Sequence, residues 1–296
     1  LERGGRILGT SSTKGDAGEV RLRVNDLEMK GGHIGSQANS TGAAGSVIVD
    51  GVGEESEFRL EKGEVTTSSV MGVKPAGSIE ISADRVILGD VKVKSDSKSD
   101  GGSGTLILEG RESLEIGPES EVTSVTEGSG PGGSVNLKGA RVEIEGGLVA
   151  TDTRSENEGA GNAGSIEVEA EEFNILDGGR MSSMSEGRGN AGKIELFANQ
   201  LSLSDGGKVS VGSLSTNGGD VLVYSDGNLQ MDRGELTASA GGNGGSIRFR
   251  GSASIFLKDS LLSAEARQDG GNIEVSAPET LVLHRSGLVA NAIQGD

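Results

Sequence analysis

Residues Ala163 to Asn190 read AGSIEVEAEEFNILDGGRMSSMSEGRGN, and at Ala191 the pattern starts again as AGKIELFANQLSLSDGGKVSVGS. Each copy holds a glycine, an alternating apolar pair, a small residue and a second apolar pair. A Gly-Gly turn follows, then an apolar residue leading a run of small ones. Self-similarity at a fixed period is the mark of a solenoid or array, in which each repeat buries its face only against its neighbours.

Working outward from these two copies, the first apolar residue after the glycine recurs at Val20, Val47, Ile79, Leu106, Val135, Ile166, Ile194, Val221, Ile247 and Ile273. A second apolar residue stands two positions after each of these anchors, the alternation of a half-buried strand. Four positions after the anchor the residue is small, as at Gly51, Ala83, Gly110, Gly139 and Ala170, with Val24 the exception. That suits a bend. A second alternating pair follows, from Leu27/Met29 to Leu281/Leu283, and then a turn such as Gly178-Gly179. The third segment is led by Ile7, Ile34, Val65, Val91, Val122, Val149, Met181, Val209, Leu236, Leu262 and Val289. The pattern predicts three short strands per coil and about ten to eleven coils. Coils stacked in parallel about 4.8 Å apart make a rod roughly 48 Å long. Because parallel crossovers are overwhelmingly right-handed, the expected fold is all-β, a right-handed parallel β-helix.

The period runs unbroken, so residues 1–296 read as a single β-helix segment. Ile7 belongs to a coil whose first two strands are missing, and neither end shows an amphipathic capping helix. The expectation is a section of a longer repeat protein, without caps. No run of 18 apolar residues predicts a transmembrane helix. A net charge of −18 argues against nucleic acid as a partner, since no basic face could neutralise phosphates. It reads as a solvated outer surface that keeps the rod soluble. With no cysteine there is neither a disulfide framework nor a thiolate metal site.

The motif G-N-A-G-x-I-x-[VL]-x-A…[LF]-x-[IL]-x-D-G-G, at Gly161 to Gly179 and Gly189 to Gly207, resembles the repeats of filamentous-haemagglutinin-like exoproteins of the two-partner secretion pathway. It is most similar to repeats of the cyanobacterial type, and weaker copies carry the resemblance over essentially the whole chain. The resemblance implies a structural stalk and adhesive module, secreted or held at the cell surface of a Gram-negative-type bacterium. It also implies an outer-membrane transporter as partner of the parent protein, and a surface glycan or protein as receptor. The Asn-Pro-Asn motifs of the family's secretion domain are absent from this sequence.

No residue carries a chemical signature that would add a catalytic, cofactor or metal site. Gly128, Gly130 and Gly133 match GxGxxG, but Pro131 interrupts and a strand follows where a dinucleotide site needs a helix. Asp96 to Gly102, DSKSDGG, lacks the alternating ligands of an EF-hand. His33 and His284 lie about nine coils apart, roughly 40 Å at the coil spacing, too far to share a metal. Thr66, Thr123 and Thr237 point outward in a row that Lys92, Ala150, Ser182 and Ser210 interrupt, which is too mixed for ice binding. The protruding loops are the insert Thr153–Gly161, of which Arg154 to Glu158 is the first place to look for a receptor contact, and DGVGEESE at Asp50–Glu57.

The rival reading is a β-helical polysaccharide lyase or hydrolase, or a carbohydrate-binding protein. Such an enzyme needs clustered carboxylates with basic residues. Glu143 and Glu145, like Glu167 and Glu169, instead flank core positions in a regular manner that reads as solvated face. Phe58, Phe173 and Phe249 fall on inward positions, whereas Phe197, Tyr224 and Phe256 alternate with core residues, which leaves room for a few of them to face outward. The reading is therefore a module that is not an enzyme.

Overall fold

The computed structural model describes residues 1–2, 4–155, 160–251 and 253–293. Every regular element among them is a strand, and every strand pairing is parallel. The third strands form one sheet of 11 strands in strict chain order. First and second strands together form another of 15. The chain is a parallel β-solenoid of about ten turns.

The anchors stack one to one. Val20 pairs with Val47, Val47 with Ile79, and so on without slip to Ile273. From Val47 to Phe249 their side chains and those two positions on are buried, as are the second-strand pairs from Phe58/Leu60 to Ile255/Leu257; in the last coil Leu281 and Leu283 are exposed. Phe58, Phe173 and Phe249 are among the largest side chains fully enclosed. Each such burial is worth roughly 1.5–3 kcal/mol. Repetition along the column makes the apolar interior continuous from coil to coil.

Three details differ from the sequence expectation. First, in five central coils the first two strands run on as one, as in Ile79–Gly89 and Thr105–Ile116. The small residue bends the strand with a register shift, seen between Gly110 and Ser113, instead of ending it. Second, the third-strand column passes through Val93 and not Val91, since Val93 pairs with both Val65 and Val122. Val91 is also fully buried, but it occupies the preceding corner, where other coils place Gly63 or Gly147. Third, the last member of that column is Leu288, paired with Leu262, and not Val289, which stands beside Ser263. In the first slip two aliphatic residues two positions apart share one phase, in the second two adjacent ones offer opposite phases, and in each only backbone pairing selects between them.

The third corner is held by glycine. Gly45, Gly77, Gly104, Gly133, Gly164, Gly192, Gly219, Gly245 and Gly271 each stand two residues before an anchor. A Cβ on any of them would lie closer than 3.0 Å to the carbonyl oxygen of the glycine one coil below. Only a hydrogen fits there. Buried hydroxyls of the third strand fasten the same column: Ser36, Ser95, Ser124 and Ser183 donate to the carbonyls of Gly18, Gly77, Gly104 and Gly164 at 2.9, 2.7, 2.5 and 2.7 Å. Gly178, in the second corner, is glycine for a different reason. Its φ is 77°, with open space where a Cβ would go.

At the first corner a buried serine and two charged residues tie three coils together. Asp84 accepts from the Ser56 N–H at 2.8 Å, from Ser56 Oγ at 3.0 Å and from Arg111 Nε at 2.6 Å. The Arg111 guanidinium, with the Ser56 N–H next in weight, holds the Asp84 carboxyl well below the usual carboxylate range.

Gly164→Ala is expected to lower stability by about 3 kcal/mol or more, because main chain meets main chain. Gly178→Ala, strained only in φ, costs about 1 kcal/mol. Urea unfolding followed by far-UV circular dichroism measures both, and equal losses would contradict the close-approach account. Asp84→Asn is expected to lower the unfolding midpoint at neutral pH. Because the folded-state pKa is depressed, the wild-type advantage is complete above the unfolded carboxylate value and lost as pH falls through the folded one. The gap between the two proteins should therefore close progressively below about pH 4. A gap that stays constant to the acid limit would assign the effect to shape and not to charge.

Candidate binding face

Strand alternation sends the residues one and three positions after each anchor to the outside of the first-strand sheet. The outermost row runs in register through Glu109, Lys138, Glu169, Phe197, Tyr224 and Arg250. Beside it runs Ile107, Asn136, Glu167, Glu195, Leu222 and Arg248. Phe197 and Tyr224 both stand three residues after an anchor, so parallel pairing brings them side by side. Their ring centroids are 5.0 Å apart, with planes 7° from parallel.

Two recesses flank this row. One, of about 390 Å³, is bordered by the two rings, with Ala170 and Ala198 beneath and Asn199, Asp226 and Glu169 at its edge. The other, of about 230 Å³, lies over Ile107 and is walled by Asn136, Glu109, Glu167, Lys138 and Glu169. Glu169 belongs to both, and its carboxylate takes the Lys138 ammonium at 2.8 Å. That bond, with the attraction behind it, raises the Lys138 pKa and keeps the lysine charged. Apolar surface and unshared polar groups thus meet along one face. This arrangement can bind, since it offers ring faces, amide groups and carboxylates.

The sequence left room for a few of Phe197, Tyr224 and Phe256 to face outward. The structure brings the first two together and leaves Phe256 apart, 42% exposed beside Gln230 and Val282 on the second-strand face. The pairing of Phe197 with Tyr224 was legible in their equal offset from consecutive anchors. Glu143 and Glu145 are not gathered with Glu167 and Glu169, for they stand on second and first strands respectively. Burial raises the Glu143 pKa, helped by the neighbouring carboxylates of Glu115, Glu145 and Glu172 against the pull of Arg141.

The other residues singled out serve structure. His33 meets Thr66 Oγ1 at 2.6 Å, and burial lowers its pKa. His284 lies on Thr280–His284, at the far end of the chain. The threonine row is interrupted by Lys94 and not Lys92, while Thr123 and Ala150 within it are buried. Asp96 accepts from the Val125 N–H at 3.2 Å, and Asp100 from Ser129 Oγ at 2.6 Å, so DSKSDGG ties coil to coil. Gly128, Gly130 and Gly133 precede the strand Ser134–Glu145. Among the described residues, no three His, Cys, Asp or Glu are placed to hold a metal.

Of the two inserts, Asp50–Glu57 is pinned by Ser56 to Asp84 as described. The longer one begins at Thr153, fully buried, and Arg154, whose guanidinium is 3.9 Å from Asp152. Asp152 in turn accepts from the Met184 N–H and from Ser182 Oγ, each at 2.9 Å. Of the receptor segment Arg154 to Glu158, residues 156–158 lie outside the described residues. No family model, curated protein or solved structure matches this chain.

Proposed function

We propose that this chain is the stalk and contact module of a filamentous-haemagglutinin-like exoprotein, displayed outside the cell. In this reading its parent crosses the outer membrane through a partner transporter, and the segment catalyses no reaction. The unbroken register of the coils supports it. A solenoid whose every turn repeats the same pairing is a stiff spacer, and its length scales with the number of coils. The repeat motif supplies the family, and the acidic, evenly patterned exterior suits a rod that must stay soluble in isolation. A non-catalytic role fits the carboxylates of the outer rows. Glu57, Glu169 and Glu172 take arginine or lysine partners from the adjacent coil instead of converging on one point. Carbohydrate binding is the second reading, favoured by the Phe197–Tyr224 stack.

Brief protease treatment of intact producing cells tests the display. The protein should be digested while a cytoplasmic marker survives, whereas resistance until lysis would overturn the reading. Incubation with acidic polysaccharides should leave no unsaturated product absorbing in the ultraviolet. Accumulation of such a product would restore the lyase.

A further inference from the structure

We infer that the groove beside Phe197 and Tyr224 binds a neutral polysaccharide chain lying along the solenoid axis. The inference rests on the reading of this segment as a non-catalytic contact module, and it adds the ligand class and the place.

The first argument is the rings. Two aromatic rings in face contact are about 3.5 Å apart, and offset arrangements are preferred. Centroids 5.0 Å apart with planes 7° from parallel therefore correspond to rings slid past one another by roughly the same distance as their thickness. Each leaves part of a face uncovered beside the recess. A pyranose has an apolar face of C–H groups that packs on such a surface and a rim of hydroxyls that does not.

The second argument is what surrounds the rings. Among the described residues, the side chains of Asn136, Glu167, Asn199 and Asp226 make no hydrogen bond or ion pair with the rest of the chain. Amides and carboxylates can bridge pairs of sugar hydroxyls, accepting from one and, for the amides, donating to another. The two recesses lie on either side of the ring row, share Glu169 and follow one another across successive coils, so together they run with the axis. Coil spacing is about 4.8 Å, close to the length of one pyranose in an extended chain. Successive sugars can then meet successive coils.

The third argument is charge. Glu109, Glu167, Glu169 and Asp226 line the recesses against Lys138, which Glu169 already holds, while Arg250 next to Tyr224 lies 3.7 Å from Glu274. A polyanion would be repelled along most of its length. That selects an uncharged glycan over a sulfated or uronate-rich one.

Tyr224 is the only tyrosine and there is no tryptophan, so tyrosine emission reports this groove alone. The chain is titrated with three soluble neutral polysaccharides, a β-glucan, a galactomannan and a xylan, with polygalacturonate as the charged comparison. At least one neutral polymer should change the emission saturably and retard the protein in an affinity gel, while polygalacturonate does neither. Phe197→Ala and Asp226→Ala should each weaken retention about tenfold, about 1.4 kcal/mol, with the far-UV circular dichroism of the wild type. The inference is overturned if no neutral polymer shifts the emission, if polygalacturonate binds as well, or if Phe197→Ala binds undiminished. Surface display, read separately by protease treatment of intact cells, would be untouched by such a failure.

Discussion

The approach of one glycine to the carbonyl below it governs everything else in this molecule. Parallel strands pair only if successive coils stay at the hydrogen-bonding distance on every side of the turn. The sides of the turn are strands and keep that distance by their own ladders. The third corner is not a strand, and there the chain must cross from a third strand to the next first strand without lifting the coil. A methyl group at Gly164 would lift it, since the Gly133 carbonyl occupies that space. The column of glycines thus sets the pitch at the point where pairing alone cannot. The serine hydroxyls that reach the same carbonyls add a second, side-chain hydrogen bond to the column, as at Gly164, whose carbonyl also accepts the Lys193 N–H.

Regular pitch has a consequence on the outside. Every outward residue finds its counterpart from the adjacent coil directly alongside, so like charges would stack as readily as like side chains do in the core. The chain often places opposite charges in adjacent coils instead, as in Glu57 with Arg85, Lys138 with Glu169, Arg141 with Glu172 and Lys208 with Glu235, although Glu115 with Glu143 and Glu167 with Glu195 do stack like on like. Exposed pairs of this kind each contribute little, typically under about 1 kcal/mol. Their importance is that repulsion along a row is limited to short stretches. Asp84 is the exception in kind. Ser56 and Arg111 give it directional hydrogen bonds, and the three coils they join are fixed at the bend.

The period made most of the fold readable, because anchors and second-strand pairs have one aliphatic candidate per phase. It failed where there were two. Val91 and Val93 are both inward and both buried, and nothing local says which belongs to the corner. Leu288 and Val289 pose the same choice one residue apart. The continuous first and second strands were also hidden, because a small residue marks a bend whether or not pairing carries through it. Of the candidate site, the rings were legible as candidates to face outward, and their stacking follows from equal offsets. The recesses were not, since equal offsets tell which side chains stand alongside one another but not where side chains of different size leave a hollow between rows. Ser56 is a similar case, for its partners Asp84 and Arg111 are 28 and 55 residues away.

In a solenoid the inward half of each repeat is bound by packing and the outward half is largely free, so function has to be sought in departures from what solubility asks of a surface. Most outer positions here meet that demand with charge or small polar groups. The row holding Phe197 and Tyr224 does so elsewhere, with Glu109, Lys138, Glu169 and Arg250. Coil stacking does not require aromatic rings at this offset, because coils without them keep the same register. Nor does burial explain them, since the rings lie on the outside of a finished core. Adjacent half-buried rings on the outer face of a parallel sheet carry a liability toward association. Their company of unengaged amides and carboxylates gives that liability a use, and the surplus of negative charge around them says which class of chain is turned away.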